Sequence, residues 1–191
     1  MDDDSNRADM EKACAALGNI KTKYGVFYAY GNHDHGYFDG DRDFSVEDLA
    51  HELDNNGVDI LVEDKTMISD NICIIGRHDT YADGRMPISV LMRYTEDSTY
   101  SIVLDHQPND YDAEAESGVD LVLSGHTHGG HLFPTGYVGT LTGMNDRIYG
   151  HERRGNTDFI VTSGISGWAI PFKTGAKSEI VIIDITNQSD K

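Results

Sequence analysis

The stretch Val119-Asp120-Leu121-Val122-Leu123-Ser124-Gly125-His126-Thr127-His128-Gly129-Gly130-His131 joins an apolar run to a turn dense in glycine and histidine. The run has the length and β-branched character of a buried strand. If extended chain continues past it, His126 and His128 point the same way, because side chains repeat every two residues. Two imidazoles so placed have the spacing of metal ligands. The glycines let the main chain turn sharply and approach a ligand closely. The plainer reading is a surface turn that happens to carry histidines.

Moving outward, other strand-like runs also end in polar groups. Tyr24–Tyr30 is short, aromatic and apolar, reads as a core strand, and delivers Gly31-Asn32-His33-Asp34. Ser101–Asp105 delivers His106-Gln107-Pro108. Between them, Val58–Val62, Thr66–Ser69 and Ile72–Gly76, separated by turn-forming residues, predict a β-meander. Helices are predicted over Arg7–Lys21, with an apolar stripe through Met10, Cys14, Leu17 and Ile20, and after an N-cap at Ser45. Short helices are expected within Ile88–Tyr94 and Asn109–Ser117. Thr135–Arg154 reads as loop, and Asp158–Thr162 and Glu179–Ile185 as final strands. This rhythm of strands and helices predicts an α/β fold with parallel pairing, and no repeat or linker divides residues 1–191 into two domains.

At 191 residues the chain is long enough to bury a core without disulfides, so Cys14 and Cys73 read as buried thiols. No apolar run is long enough to cross a bilayer, and the acidic start lacks the features of a signal peptide. As written, the chain is expected to be cytoplasmic. Its net charge of −18 repels polyphosphate backbones, which argues against nucleic acid as a bulk partner, although a divalent cation reverses the sign locally.

Asn32 and His33, His106, and His126 and His128 are thus gathered at the carboxyl ends of strands, where α/β proteins collect their chemistry. Imidazole nitrogens with an amide oxygen suit Mn, Fe, Zn or Ni, and a centre without thiolates points to catalysis more than to structural zinc. Each residue has a structural alternative: Asn32 in a left-handed turn, His33 in a polar pocket, His106 in a strand-end hydrogen bond.

In order and spacing, Gly31-Asn32-His33-Asp34, His106 and Gly125-His126-Thr127-His128 resemble the later motifs of the calcineurin-like metallophosphoesterases. Gly125 through Gly130, His106-Gln107-Pro108 and Ser163-Gly164 through Pro171-Phe172-Lys173 are similar to a bacterial, often membrane-associated, phosphodiesterase-like subgroup. The resemblance implies a four-layer α-β-β-α sandwich with mixed sheets. It also implies that Asn32, His106 and His126 bind one ion of a dinuclear centre and His128 the other. His33 would then protonate the leaving oxygen or stabilise phosphate charge, with Asp34 orienting it. Hydrolysis would proceed by attack of metal-activated hydroxide on a phosphodiester or phosphomonoester, with small-molecule, lipid or nucleotide-type phosphoesters as partners. His131 is either a substrate contact or a neighbour, and His35, His51, His78 and His151 are read as structural or exposed.

The family pattern opens with Asp-x-His and Gly-Asp motifs, and neither occurs here. The expectation is therefore an incomplete sandwich lacking its N-terminal strands, with a parent protein that is membrane-associated. At least one βαβ unit of roughly 30 or more residues would be missing. In that case His128 lacks partners, and uncovered strands favour self-association. Asp2, Asp3 or Asp4 is an alternative source of the bridging carboxylate. The competing function is a non-catalytic remnant that binds one metal or none. Arg147, Arg153 and Arg154 are candidates for phosphate contact, and Trp168 for stacking on substrate or for core packing.

Overall fold

The computed structural model describes residues 4–37, 41–134, 136, 138–167 and 172–186. Trp168, Asp2 and Asp3 lie outside these residues. The elements in chain order are α1 (Arg7–Gly18), β1 (Val26–Tyr28), α2 (Val46–Asn55), β2 (Val58–Ile60), β3 (Asp64–Ser69), β4 (Ile72–Gly76), α3 (Ile88–Leu91), β5 (Tyr100–Leu104), α4 (Tyr111–Glu116), β6 (Leu121–Ser124), α5 (Val138–Leu141), β7 (Gly150–Arg154) and β8 (Thr157–Val161). Two sheets result: β1 and β2 pair in parallel, and a mixed sheet has the order β3-β4-β5-β6-β8-β7.

In the large sheet β4, β5, β6 and β8 run parallel, with β3 and β7 antiparallel at the edges. Alternation puts Cys73, Ile75, Val103, Val122, Phe159 and Val161 on one face, where they pack with Ile88 and Leu91 of α3 and Tyr111 of α4. The Tyr111 and Phe159 rings stack at 3.9 Å between centroids. Helices α1 and α2 cover the small sheet instead, and Met10, Cys14, Leu49, Leu53 and Val58 form that core. Full burial of Leu49 and Leu53 contributes about 1.5–3 kcal/mol each. Caps fix where these helices begin. The Asn6 side chain accepts the Asp9 N–H, and Ser45 with Asp48 forms a reciprocal capping box.

The sheets approach each other at Gly76. A Cβ there would lie 2.2 Å from the Leu61 carbonyl oxygen, so only glycine lets the chain leaving β2 pass the end of β4. The carboxyl ends of β1, β4, β5 and β6 are thereby brought to one place.

Five local expectations are corrected. The meander fails because β2 pairs with β1, not β3, leaving only the β3-β4 hairpin. Tyr24 is exposed and β1 is only half-buried, because its small sheet has a single partner strand. A strand, β7, lies inside the expected loop. Its sequence Gly-His-Glu-Arg-Arg carries no apolar signal because it is an edge strand, tied to β8 by His151 and Arg153 on Asp158. Conversely, Glu179–Ile185 forms no ladder among the described residues, and Ile180 and Ile182 are exposed. Ile20 also falls outside the buried stripe of α1.

Candidate metal centre

His106 follows β5 by two positions and His126 follows β6 by two. Because β5 and β6 are parallel neighbours with Leu104 opposite Leu123, equal offsets put the two histidines side by side. The Gly125 N–H donates to the His106 carbonyl at 3.1 Å, continuing the pairing into the loops. The rings stand edge to face, with centroids 5.2 Å apart. From the other sheet, the turn after β1 inserts Asn32, which is 3% exposed. Its Oδ1 lies 2.9 Å from His106 Nε2 and 3.2 Å from His126 Nδ1.

Two imidazole nitrogens therefore converge on one amide oxygen. Either both rings present N–H donors to it, or the three groups turn their lone pairs toward one cation. The second state needs neutral imidazoles. Burial, reinforced by His126, lowers the His106 pKa to about 3, and burial, reinforced by His33, lowers that of His126. Gly31 forms the floor under this group. A Cβ there would sit 2.6 Å from His106 Cε1, so the ring lies directly against the main chain of the turn. Nitrogen, nitrogen and amide oxygen from three segments fit a borderline divalent cation. Among the described residues no group of three or more His, Cys, Asp or Glu is placed to hold a metal, so Asn32 is the donor that makes this set.

His128 has other neighbours, although its charge bears on His106 and that of His126 bears on it. His126, His128 and His131 all have positive φ, at 63°, 50° and 38°, in a turn that bends the chain away from the strand. The extended geometry assumed in aligning the two histidines thus ends before them. The His128 ring lies 5.9 Å between centroids from that of His131 and hydrogen-bonds the Ser166 main chain. Burial, with the charge of Lys173, lowers its pKa to about 4.

The Asn32–Asp34 turn is held from two sides. The buried Asp34 carboxylate accepts the Gly31 N–H at 2.7 Å. Arg42 Nη1 donates to the His33 and Asp34 carbonyls, each at 2.9 Å, while its Nε donates to the Phe44 carbonyl. Nothing in the sequence pattern singled out Arg42, since its partners are main-chain carbonyls reached from a loop.

Asp79 was also missed, although the apolar run before Gly76-Arg77-His78-Asp79 is the same strand-end signal. It is fully buried, 3.3 Å from His35 Nε2, and accepts the Tyr81 N–H. His35 packs between Tyr30 and Tyr37 and 5.9 Å from the His78 ring, so His35 and His78 are parts of a packed cluster. His51 and His151 are exposed.

The chain is a mixed α/β fold with nitrogen and oxygen groups gathered at the carboxyl edge of its sheet, and sequence comparison narrows this class. The family model described as Calcineurin-like phosphoesterase matches residues 3–130. An uncharacterized metallophosphoesterase of Campylobacter jejuni is 34% identical over 95% of this chain and 48% of its own length. One from Helicobacter pylori is 31% identical over 94% and 48%. A Danio rerio protein named as a transmembrane protein with metallophosphoesterase domain is 29% identical over 94% and 43%. No solved structure matches the chain. The chain belongs to the calcineurin-like phosphoesterase family, a family of metal-dependent phosphoesterases. It spans less than half the length of each of these relatives.

Proposed function

We propose that this domain hydrolyses small phosphoesters, with phosphodiesters of lipid or nucleotide type preferred, at a centre held by Asn32, His106 and His126. The observation that supports this most is the convergence of two neutral imidazole nitrogens on the Asn32 amide oxygen. A divalent cation (Mn, Fe, Zn or Ni) bound there supplies positive charge that polarises a phosphoryl oxygen and acidifies water.

The chain's own residues do the rest. Asn32, His106 and His126 give one oxygen and two nitrogens without carrying charge of their own. The Gly31–Asp34 hydrogen bond fixes the turn, and His33, half-buried and next in sequence to Asn32, is near enough for its charge to bear on His126. His33 supplies a proton to the departing oxygen, and Asp34 supports the geometry in which it does so. His128, held by Ser166, serves a second ion in the dinuclear reading.

The test is purified protein loaded with Mn or Zn and assayed on bis-p-nitrophenyl phosphate and p-nitrophenyl phosphate. Turnover that falls at least a hundredfold in His106→Ala supports the reading. Absence of turnover with every metal overturns it for this chain.

One observation favours a second reading, a module that binds a single ion without catalysis. The Asn32 amide oxygen meets His106 and His126, whereas His128 is engaged by the Ser166 main chain and the His131 ring. Elemental analysis separates the two: two ions per chain support the dinuclear enzyme, and one or none supports the module.

No helix among the described residues is long and apolar enough to cross a membrane. The relatives from Danio rerio and Bos taurus named as transmembrane proteins support membrane association of the whole protein.

A further inference from the structure

The positive charge that would meet a phosphate is not where the sequence suggested. Arg147 pairs with Glu152 and Arg153 with Asp158, while Arg154 is shared among Asp112, Asp146 and Glu152. Arg77 and Arg85 are neutralised by Asp105. In a chain of net charge −18, cations committed in this way have little left to attract an anion.

Lys173 is different. Its Nζ donates to the Ser163 carbonyl at 2.7 Å and lies 3.4 Å from the Gly164 carbonyl. Among the described residues no carboxylate forms an ion pair with it. The acid that bears on it, Glu179, is already bonded to Tyr149 Oη, Thr162 Oγ1 and the Ser163 N–H.

The segment carrying Lys173 lies on the histidine turn. The Thr174 and Gly175 N–H groups both donate to the His131 carbonyl, at 2.8 and 3.0 Å. A Cβ on Gly175 would come within 2.7 Å of the Gly129 carbonyl, and one on Gly129 within 2.5 Å of Ala176 Cβ. The two segments therefore touch main chain to main chain, and the Lys173 charge is felt at His128.

An ammonium has three donors, and two carbonyls occupy at most two of them. We propose that Lys173 binds the phosphoryl oxygens of the substrate on the His128 side of the site, its ammonium being held there by the Ser163 and Gly164 carbonyls with an N–H left over and no ion pair to a carboxylate among the described residues. The assignment rests on the phosphoester reading above, and it names the chain's own anion-binding group for that chemistry. A half-buried charge-assisted bond of this kind is strong compared with one at an open surface.

The experiment is titration of inorganic phosphate into the Mn-loaded protein by calorimetry, for wild type, Lys173→Met and Lys173→Arg. A rise of about tenfold or more in the phosphate Kd for Lys173→Met, with Lys173→Arg within about threefold of wild type, is expected. An unchanged Kd in Lys173→Met, or no phosphate binding by wild type, overturns the proposal.

Lys173→Met also loses its carbonyl bonds, so a measurement on the wild type decides independently of folding. Phosphate should slow acetylation of Lys173 by an amine-reactive ester several-fold in a peptide-mapped mass spectrum, leaving the exposed Lys12 unaffected. Equal rates at Lys173 with and without phosphate refute it. The two readings fail separately. Lys173-dependent phosphate binding without ester turnover removes the hydrolase and keeps Lys173, whereas turnover with Lys173-independent binding does the reverse.

Discussion

Gly31→Ala tests the centre most sharply, because the perturbation is a single methyl group aimed at one ring. The added Cβ would lie 2.6, 2.8 and 2.9 Å from Cε1, Nε2 and Nδ1 of His106. Ordinary contact begins near 3.4 Å, so the ring must retreat by about 0.8 Å or the turn must move by as much. Retreat lengthens the 2.9 Å approach of Nε2 to Asn32 Oδ1 to as much as about 3.7 Å, beyond hydrogen-bond range. Either response costs about 1–3 kcal/mol of overpacking strain and separates two of the three donors. Loss of support behind a ligand lowers metal affinity by about 10–100-fold. The assay is competition for Zn or Mn against a fluorescent chelator. Gly125→Ala is the control, since Gly125 stands next to His126 in sequence but a Cβ there meets nothing within 4 Å and its φ is not positive. The motif alone ranks Gly125 above Gly31; the geometry reverses the order. A Gly31→Ala protein that holds metal within twofold of wild type would refute the convergence of Asn32, His106 and His126 as the site.

Other outcomes follow from the same contacts. Arg42→Met strips the donors from the His33, Asp34 and Phe44 carbonyls and should destabilise the fold by about 1–3 kcal/mol in urea titration. Arg42→Lys, which lacks the planar fork, should recover only part of that. Acidification should destabilise the metal-free protein from pH 6.5 downward, because folded His106 stays neutral to about pH 3 while the unfolded chain takes up the proton. At pH 5 this amounts to about 2 kcal/mol for His106, and His106→Asn should flatten the slope in melts between pH 7 and 5. Ile180 and Ile182, 82% and 86% exposed, should drive concentration-dependent association in sedimentation velocity, which Ile180→Ser with Ile182→Ser abolishes. A wild-type chain that stays monomeric at millimolar concentration contradicts that expectation.

What was legible in the sequence was the strand-end logic. Tyr100–Leu104 and Leu121–Ser124 announce themselves as short apolar runs, and parallel pairing with matched offsets is enough to place His106 beside His126. Helix α2 was legible because Ser45 and Asp48 cap it locally. Partner choice was not. Whether β2 joins β1 or β3 depends on which edge is within reach, and Val58–Ile60 has the same composition in either case. Strand β7 was invisible because edge position and cross-strand ion pairs, not apolar burial, define it. Glu179–Ile185 misled for the opposite reason: an apolar run supplies a strand's side chains but not the neighbouring edge that makes it one. The turn conformation at His126 and His128 rests on φ angles that no spacing rule contains. Arg42 and Lys173 both act on main-chain carbonyls, which have no sequence signature.

The support beneath His106 shows why the centre stays in place without disulfides or a continuous second sheet. Side chains alternate past the end of β5, so Asp105 faces the helices while His106 faces Asn32. The same alternation past β4 turns Arg77 to the helical side. There Arg77, 2% exposed, meets Asp105 at 2.9 Å and Glu114 of α4 at 3.1 Å, and Arg85 reaches Asp105 as well. A buried pair of this kind gains little net stability over an apolar substitute, because desolvation offsets attraction. Its value is directional. A hydrophobic residue at position 105 would tolerate sliding against α4, whereas a carboxylate shared by two guanidinium groups fixes the main chain on either side of it. Burial and Asp105 both push the Glu114 carboxyl up, the sign of an acid-rich network that Arg77 holds together. Asp105→Leu with Arg77→Met is therefore expected to cost less stability than Asp105→Leu alone, because Arg77 is no longer stranded although Arg85 and Glu114 each lose a partner, yet to weaken metal binding through a loosened His106. Asp105→Leu alone should cost about 3–5 kcal/mol by stranding Arg77. If the double variant binds metal as tightly as wild type in the chelator competition, the buried ion pairs do not position His106, and packing against Gly31 alone suffices.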